Sequence, residues 1–132
     1  MIEMFLWALV LVSLMATLVV SIYGIVVRPS LIKKLIALTI LTDSANLLAI
    51  MIGYRLIYPV IPPVLPQRTQ EGLSKFIASS VDPLPQALVI TAVVIGMAVN
   101  VLIAFAIIQI YRIYGTTDVR KIAEVMTDGK AQ

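Results

Sequence analysis

No charged residue lies between Glu3 and Arg28, a run of 24 residues, and none lies between Asp82 and Arg112, a run of 29. Between Lys34 and Arg55 there are 20 residues with a single charge, Asp43. A helix rises about 1.5 Å per residue, so about 20 residues cross the roughly 30 Å hydrocarbon core of a bilayer. Hydrocarbon offers no partner for a bare peptide group, and a helix satisfies its own. The three runs therefore predict an all-α integral membrane domain with spans over Phe5–Val27, Leu31–Tyr54 and Pro85–Tyr111, an outer loop at 55–84 and a tail at 112–132.

Composition supports this and excludes much else. With 61% hydrophobic residues and only 17 charges in 132, a soluble globule would show a strongly apolar surface. The same figures exclude disorder, which needs low hydrophobicity and high net charge. The chain has no Cys and no His, which excludes disulfides, thiolate clusters, zinc or haem ligation by those residues, and His-based acid–base chemistry. No catalytic residue, metal site or cofactor is expected in this chain. The first span is expected to be retained: Glu3 replaces the basic n-region of a signal peptide, and the apolar run is too long for an h-region.

Orientation follows from the basic residues. Three crossings put the first connection and the tail on one side. Arg28, Lys33, Lys34, Arg112, Arg120, Lys121 and Lys130 fall there, against Arg55, Arg68 and Lys75 on the other. The positive-inside rule then predicts an outer N-terminus and a cytoplasmic C-terminus. Aromatic residues suit both boundaries, with Trp7, Tyr54 and Tyr58 outside and Tyr23, Tyr111 and Tyr114 inside. The net charge of +3 is explained by topology, with the bilayer as partner and no nucleic acid.

The connections differ in kind. Arg28-Pro29-Ser30 is short enough to force an antiparallel hairpin, with Pro29 stopping the first span and Ser30 placed to cap the second. The outer loop carries four prolines among residues 59–66, which predicts a stiff, extended segment. It serves either as a solvated connector or as a contact with a neighbouring protein. Residues Thr69–Ser80 suit a short amphipathic helix, with Leu73, Phe76 and Ile77 on one side. In the tail, Val119, Ile122, Ala123 and Met126 follow i, i+3, i+4, i+7 spacing, as in a surface helix resting on a partner or on the membrane.

The polar residues within the spans are the candidate functional groups. A charge at the centre of a membrane helix costs about 2.5–3.5 kcal/mol on insertion scales, so Asp43 requires an explanation. Thr39, Asp43 and Asn46 recur at i, i+4, i+7 with Thr42 beside them, and the third span offers Asn100, Thr91 and Gly96. One reading is an ion path, with Asp43 as a titrating or cation-binding carboxylate among Thr39, Thr42, Asn46 and Asn100. The other is hydrogen-bonded adhesion between helices. One acid on three helices cannot enclose a path, so either reading requires partner chains.

The third span opens Asp82-Pro83-Leu84-Pro85-Gln86-Ala87-Leu88-Val89-Ile90-Thr91, continuing to Gly96. This closely resembles the DPLPQALVLTAIVIG stretch of the C subunit of Mrp-type multisubunit Na⁺/H⁺ antiporters, a subunit similar to the K subunit of complex I. Leu41-Thr42-Asp43-Ser44-Ala45-Asn46-Leu47-Leu48 resembles that family's second-span run. Locally, Asp82 suits a helix cap and Pro83 and Pro85 suit a first turn. The full string, with Gln86, suggests a fixed contact with an adjacent subunit.

The resemblance implies a small subunit of a Na⁺/H⁺ antiporter module in a prokaryotic plasma membrane, packed among large antiporter-like and small membrane subunits beside a hydrated ion path. Alternatives are the same subunit within a membrane-bound hydrogenase, sulfur-reductase or NADH-dehydrogenase type redox complex, or a purely structural spacer. By the resemblance, the two membrane glutamates of the complex I K subunit fall on Thr39 and Gly96, neither of them acidic. Their proton-relay role does not carry over, and Asp43 lies one turn beyond Thr39.

Overall fold

The computed structural model describes residues 1–53, 64 and 68–129. Tyr54, Arg55, Tyr58, Lys130 and all of the proline-rich run except Val64 lie outside the described residues. Five helices are described: α1 (Ile2–Val27), α2 (Leu31–Gly53), α3 (Gln70–Ser79), α4 (Pro83–Tyr114) and α5 (Val119–Asp128). Helices α1, α2 and α4 are long and apolar enough to cross a membrane. At 1.5 Å per residue they measure about 39, 35 and 48 Å.

Helix boundaries follow local chemistry. Pro29 ends α1, because it removes a backbone donor and its predecessor Arg28 is extended (φ −80°, ψ 127°). Helix α4 starts at Pro83, since the Asp82 carboxylate accepts the Leu84 N–H at 2.9 Å and a proline in the first turn needs no donor. It runs to Tyr114 and stops at Gly115, whose left-handed conformation (φ 70°) lets its N–H reach the Tyr111 carbonyl at 2.8 Å. Thr69 caps α3 by accepting the Gly72 N–H, and Asp118 caps α5 by accepting the Arg120 N–H. Within α3, Phe76 is half-buried while Leu73 and Ile77 remain exposed. Val81, just before α4, is the most deeply buried side chain described.

Helix α2 occupies the middle. It packs against α1 on one side and α4 on the other, with no comparable seam between α1 and α4. Lipid tails are as apolar as leucine, so membrane helices associate through close backbone approach and shared hydrogen bonds. Both seams show this. On the α1 side, a Cβ built on Gly24 would lie 3.0 Å from that of Ala37, and buried Ser44 donates to the Thr17 hydroxyl at 3.3 Å. Thr17 and the buried Ser21 return their own protons to α1 carbonyls, those of Leu14 and Thr17 respectively. On the α4 side, a Cβ on Gly53 would lie 2.7 Å from Pro85 Cγ, so glycine is what lets α4 begin against the end of α2.

A short backbone pairing joins the remaining ends. Ser30 and Asp118 form an antiparallel bridge in which the Leu31 N–H donates to Thr117 O and the Val119 N–H donates to Pro29 O, both at 3.0 Å. Ser30 thus acts through its backbone, its carbonyl also accepting the Lys34 N–H. The start of α5 is thereby tied to the basic turn between α1 and α2.

Substituting Gly53→Val is expected to destabilise the purified assembly by about 1–3 kcal/mol, since the added carbons meet a rigid proline ring. Gly96→Ala is the control, because its Cβ would meet Thr42 Cγ2 at an ordinary 3.5 Å. Thermal unfolding that shifts equally for both would refute the Gly53–Pro85 contact as the determinant of that seam.

Candidate functional site

Asp43 lies one residue past the middle of α2 and is exposed on the surface of the chain. The reason is helix geometry. Ser44 is turned onto α1 and consecutive residues are about 100° apart, so Asp43 is directed away from α1, to the edge of the α4 seam. It lines a groove of about 490 Å³ along the α2–α4 seam. From α2 the groove also receives Leu35, Thr39 and Thr42; from α4 it receives Val93, Gly96, Met97, Asn100, Val101 and Ala104. No lysine or arginine lines it.

The structure thus brings together four of the five residues singled out for an ion path: Thr39, Thr42, Asp43 and Asn100. The fifth, Asn46, lines a separate recess near the start of α4, with Asp82, Pro85 and Leu88. Its amide nitrogen is buried without a hydrogen-bond partner among the described residues. Thr91 is exposed and lines neither space.

The donor set has a definite chemistry. Thr39 and Thr42 donate to the Leu35 and Leu38 carbonyls at 3.0 and 2.9 Å, which commits their protons and leaves their oxygens able to act as acceptors. At Gly96 α4 passes Thr42 closely enough that a Cβ would meet its Cγ2 at an ordinary 3.5 Å. A single carboxylate, two hydroxyl oxygens and one amide suit a proton, a water chain or a weakly held monovalent cation. Tight divalent binding calls for six to eight oxygen ligands, commonly with several carboxylates. No group of three or more His, Cys, Asp or Glu residues is found among the described residues.

The Asp82–Gln86 string is divided in its placement. Asp82 caps α4, Pro83 fills its first position, and half-buried Pro85 seats against Gly53. Gln86 is half-buried beside them. Sequence spacing did not single out the Thr17–Ser44 link. Its signal is the Thr17, Ser21, Gly24 series, small residues at i, i+4, i+7 on one face of α1.

Residues 9–126 match the family model described as NADH-ubiquinone/plastoquinone oxidoreductase chain 4L. The chain is 32% identical over 110 residues to Na⁺/H⁺ antiporter subunit C1 of Staphylococcus saprophyticus, covering 83% of this chain and 86% of that one. It is 34% identical over 100 residues to subunit C1 of Staphylococcus epidermidis, covering 76% and 77%. Among solved structures, it is similar to a chain of the membrane-bound sulfane sulfur reductase, an archaeal respiratory membrane complex. The TM-score there is 0.71 at 32% identity, with 84% of this chain and 94% of that chain covered.

The cap on α4 is directly testable. Asp82→Ala is expected to cost about 0.5–2 kcal/mol, and Asp82→Ser to restore most of it, because serine also caps. Equal thermal stability of Asp82→Ala and the unsubstituted assembly would show that the carboxylate does not set the start of the helix.

Proposed function

The chain belongs to the NADH-ubiquinone/plastoquinone oxidoreductase chain 4L family, and we propose that it serves as a small membrane subunit of a multisubunit Na⁺/H⁺ antiporter module. The observation that carries this reading is Asp43, exposed at the centre of a membrane helix in a groove it shares with Thr39, Thr42 and Asn100. Left against lipid, the charge would cost about 2.5–3.5 kcal/mol. Covered by a neighbouring antiporter-like subunit, the same groove becomes one wall of a hydrated path, with the partner forming the other. Thr39 and Gly96, where related complex I subunits place acids, both line this groove. Asp43 therefore stands one turn from the usual position and on the same wall.

In this reading the chain is not catalytic by itself. Redox chemistry and the principal pumping acids belong to other subunits, and the basic end of the helices faces the cytoplasm of a prokaryotic cell. The Asp82–Gln86 string meets an adjacent subunit through Gln86, since Asp82, Pro83 and Pro85 already have roles within the chain. Normal assembly and activity of Gln86→Ala would exclude that contact, while Pro85→Ala reports on the Gly53 seam within the chain.

The decisive substitution is Asp43→Asn in the assembled complex. Assembly is expected to persist while Na⁺-dependent proton exchange in vesicles falls on the order of tenfold or more, equivalent to about 1.4 kcal/mol on the limiting barrier. Asp43→Glu should retain more activity. Unchanged transport with normal assembly would remove Asp43 from the path and leave a purely structural spacer.

A second reading, the same subunit in an ion-pumping redox complex, is favoured by the likeness to the sulfane sulfur reductase chain. Mass spectrometry of the detergent-extracted complex separates the two. Iron–sulfur or nickel–iron subunits would place the chain in a hydrogenase-like or complex I-like redox assembly, and their absence in an active exchanger would place it in an antiporter.

A further inference from the structure

The side of the strip opposite Asp43 holds a different kind of space. At the basic end, α2 and α4 flank an apolar slot of about 310 Å³ whose far edge is Ile25 of α1. Leu35 and Leu38 line it from α2, and Ile103, Ile107 and Ile110 from α4. Ile107 is buried at its floor, whereas Leu102 on its rim is 71% exposed. Lys34 is the one polar residue in the lining.

We propose that this slot binds an acyl chain of an anionic phospholipid, with Lys34 holding the headgroup phosphate. Three observations carry the assignment, and none depends on the antiporter reading. The first is depth. Lys34 is the fourth residue of α2, close to the membrane boundary, and a lysine stem lies along apolar surface while its ammonium reaches toward the headgroups. The slot continues from there over Leu102–Ile110, about 12 Å along α4, in the direction an acyl chain runs.

The second is charge. The segments that meet at this end, residues 28–34 and 112–121, hold Arg28, Lys33, Lys34, Arg112, Arg120 and Lys121 against one acid, Asp118. The Asp118 carboxylate is engaged in capping α5. The bridge between Ser30 and Asp118 fixes these two basic segments together at the end of the strip where Lys34 borders the slot.

The third is the nature of the lining. The closest approaches at the seams inside this chain involve Gly24 and Ala37, Gly53 and Pro85, and Ser44 and Thr17, mostly small residues that let backbones come near. The slot is lined instead by branched Leu and Ile, with Ala106 the one small residue. A tightly packed partner helix would also have to cover the Lys34 ammonium, whereas a phosphate neutralises it. The surface therefore fits a flexible chain with a negative head better than a second helix.

The test uses the intact complex, extracted in mild detergent and stripped of loosely held lipid. Phosphatidylglycerol and phosphatidylcholine are titrated back and retained lipid is counted by native mass spectrometry. Phosphatidylglycerol is expected to be retained preferentially. Lys34→Gln should weaken its retention about five- to tenfold, Lys34→Arg should preserve it, and Ile103→Trp, which fills the slot, should abolish it for either lipid. Equal retention of the two lipids, or unchanged retention in Lys34→Gln, would overturn the proposal. Should the variants fail to assemble, a cryo-EM map of the unsubstituted complex decides. An acyl chain in the slot with its phosphate at Lys34 supports the assignment, and a partner helix or an empty slot refutes it.

Discussion

In hydrocarbon no solvent pushes apolar helices together, so this architecture depends on where backbones are allowed to touch. Two such places hold α2 between its neighbours, Gly24 against Ala37 on one side and Gly53 against Pro85 on the other. The Ser44–Thr17 hydrogen bond fixes the rotation of α2 at the first seam. Once that rotation is set, the direction of every other residue on α2 follows from the helical repeat. Asp43 is then carried outward, into a groove, by the residue next to it.

A strip of three helices with the middle one shared buries little of itself. Only 6%, 11% and 6% of the most apolar windows of α1, α2 and α4 are buried within the chain. A fold with so little interior is completed by what surrounds it, which matches membership of a family whose members work inside larger membrane complexes. The same flatness explains why the polar residues of α2 and α4 line an open groove and not a closed channel. The pairing of Ser30 with Asp118 adds a constraint that lies off the seams, holding the start of α5 at the basic boundary.

The three spans and the short hairpin were legible in the sequence because charge-free length and proline are read directly against bilayer thickness and backbone chemistry. The cap on α4 was legible for the same reason: Asp82 and Pro83 act on their own neighbours. The groove was legible only in part. Spacing on α2 places Thr39, Asp43 and Asn46 near one another, yet where α4 packs along α2, Asp43 lines the groove beside Gly96 and Asn100 while Asn46 lines a separate recess beside the start of α4. No pattern on a single helix contains that information, because it depends on which side the next helix occupies. Nor does the sequence announce that Pro85 needs Gly53, two residues 32 positions apart that meet only when α2 and α4 are antiparallel.

The opposition of groove and slot has a simple origin. Asp43 lies nine residues after Lys34, about two and a half turns, so the two charges leave α2 on opposite sides. On α4 the same interval separates Val93, Met97 and Val101, which line the groove, from Leu102, Ala106 and Ile110, which line the slot. One side of the strip therefore presents oxygen atoms and a carboxylate at mid-membrane, a surface that lipid covers only at a cost and that a polar partner can satisfy. The other side presents branched apolar residues beneath a single ammonium near the boundary, a surface that lipid covers readily. Exchanging these two environments would strand Asp43 in hydrocarbon and Lys34 against protein. The nine-residue interval on both helices thus gives a chain with almost no core a fixed sense of which way it must face.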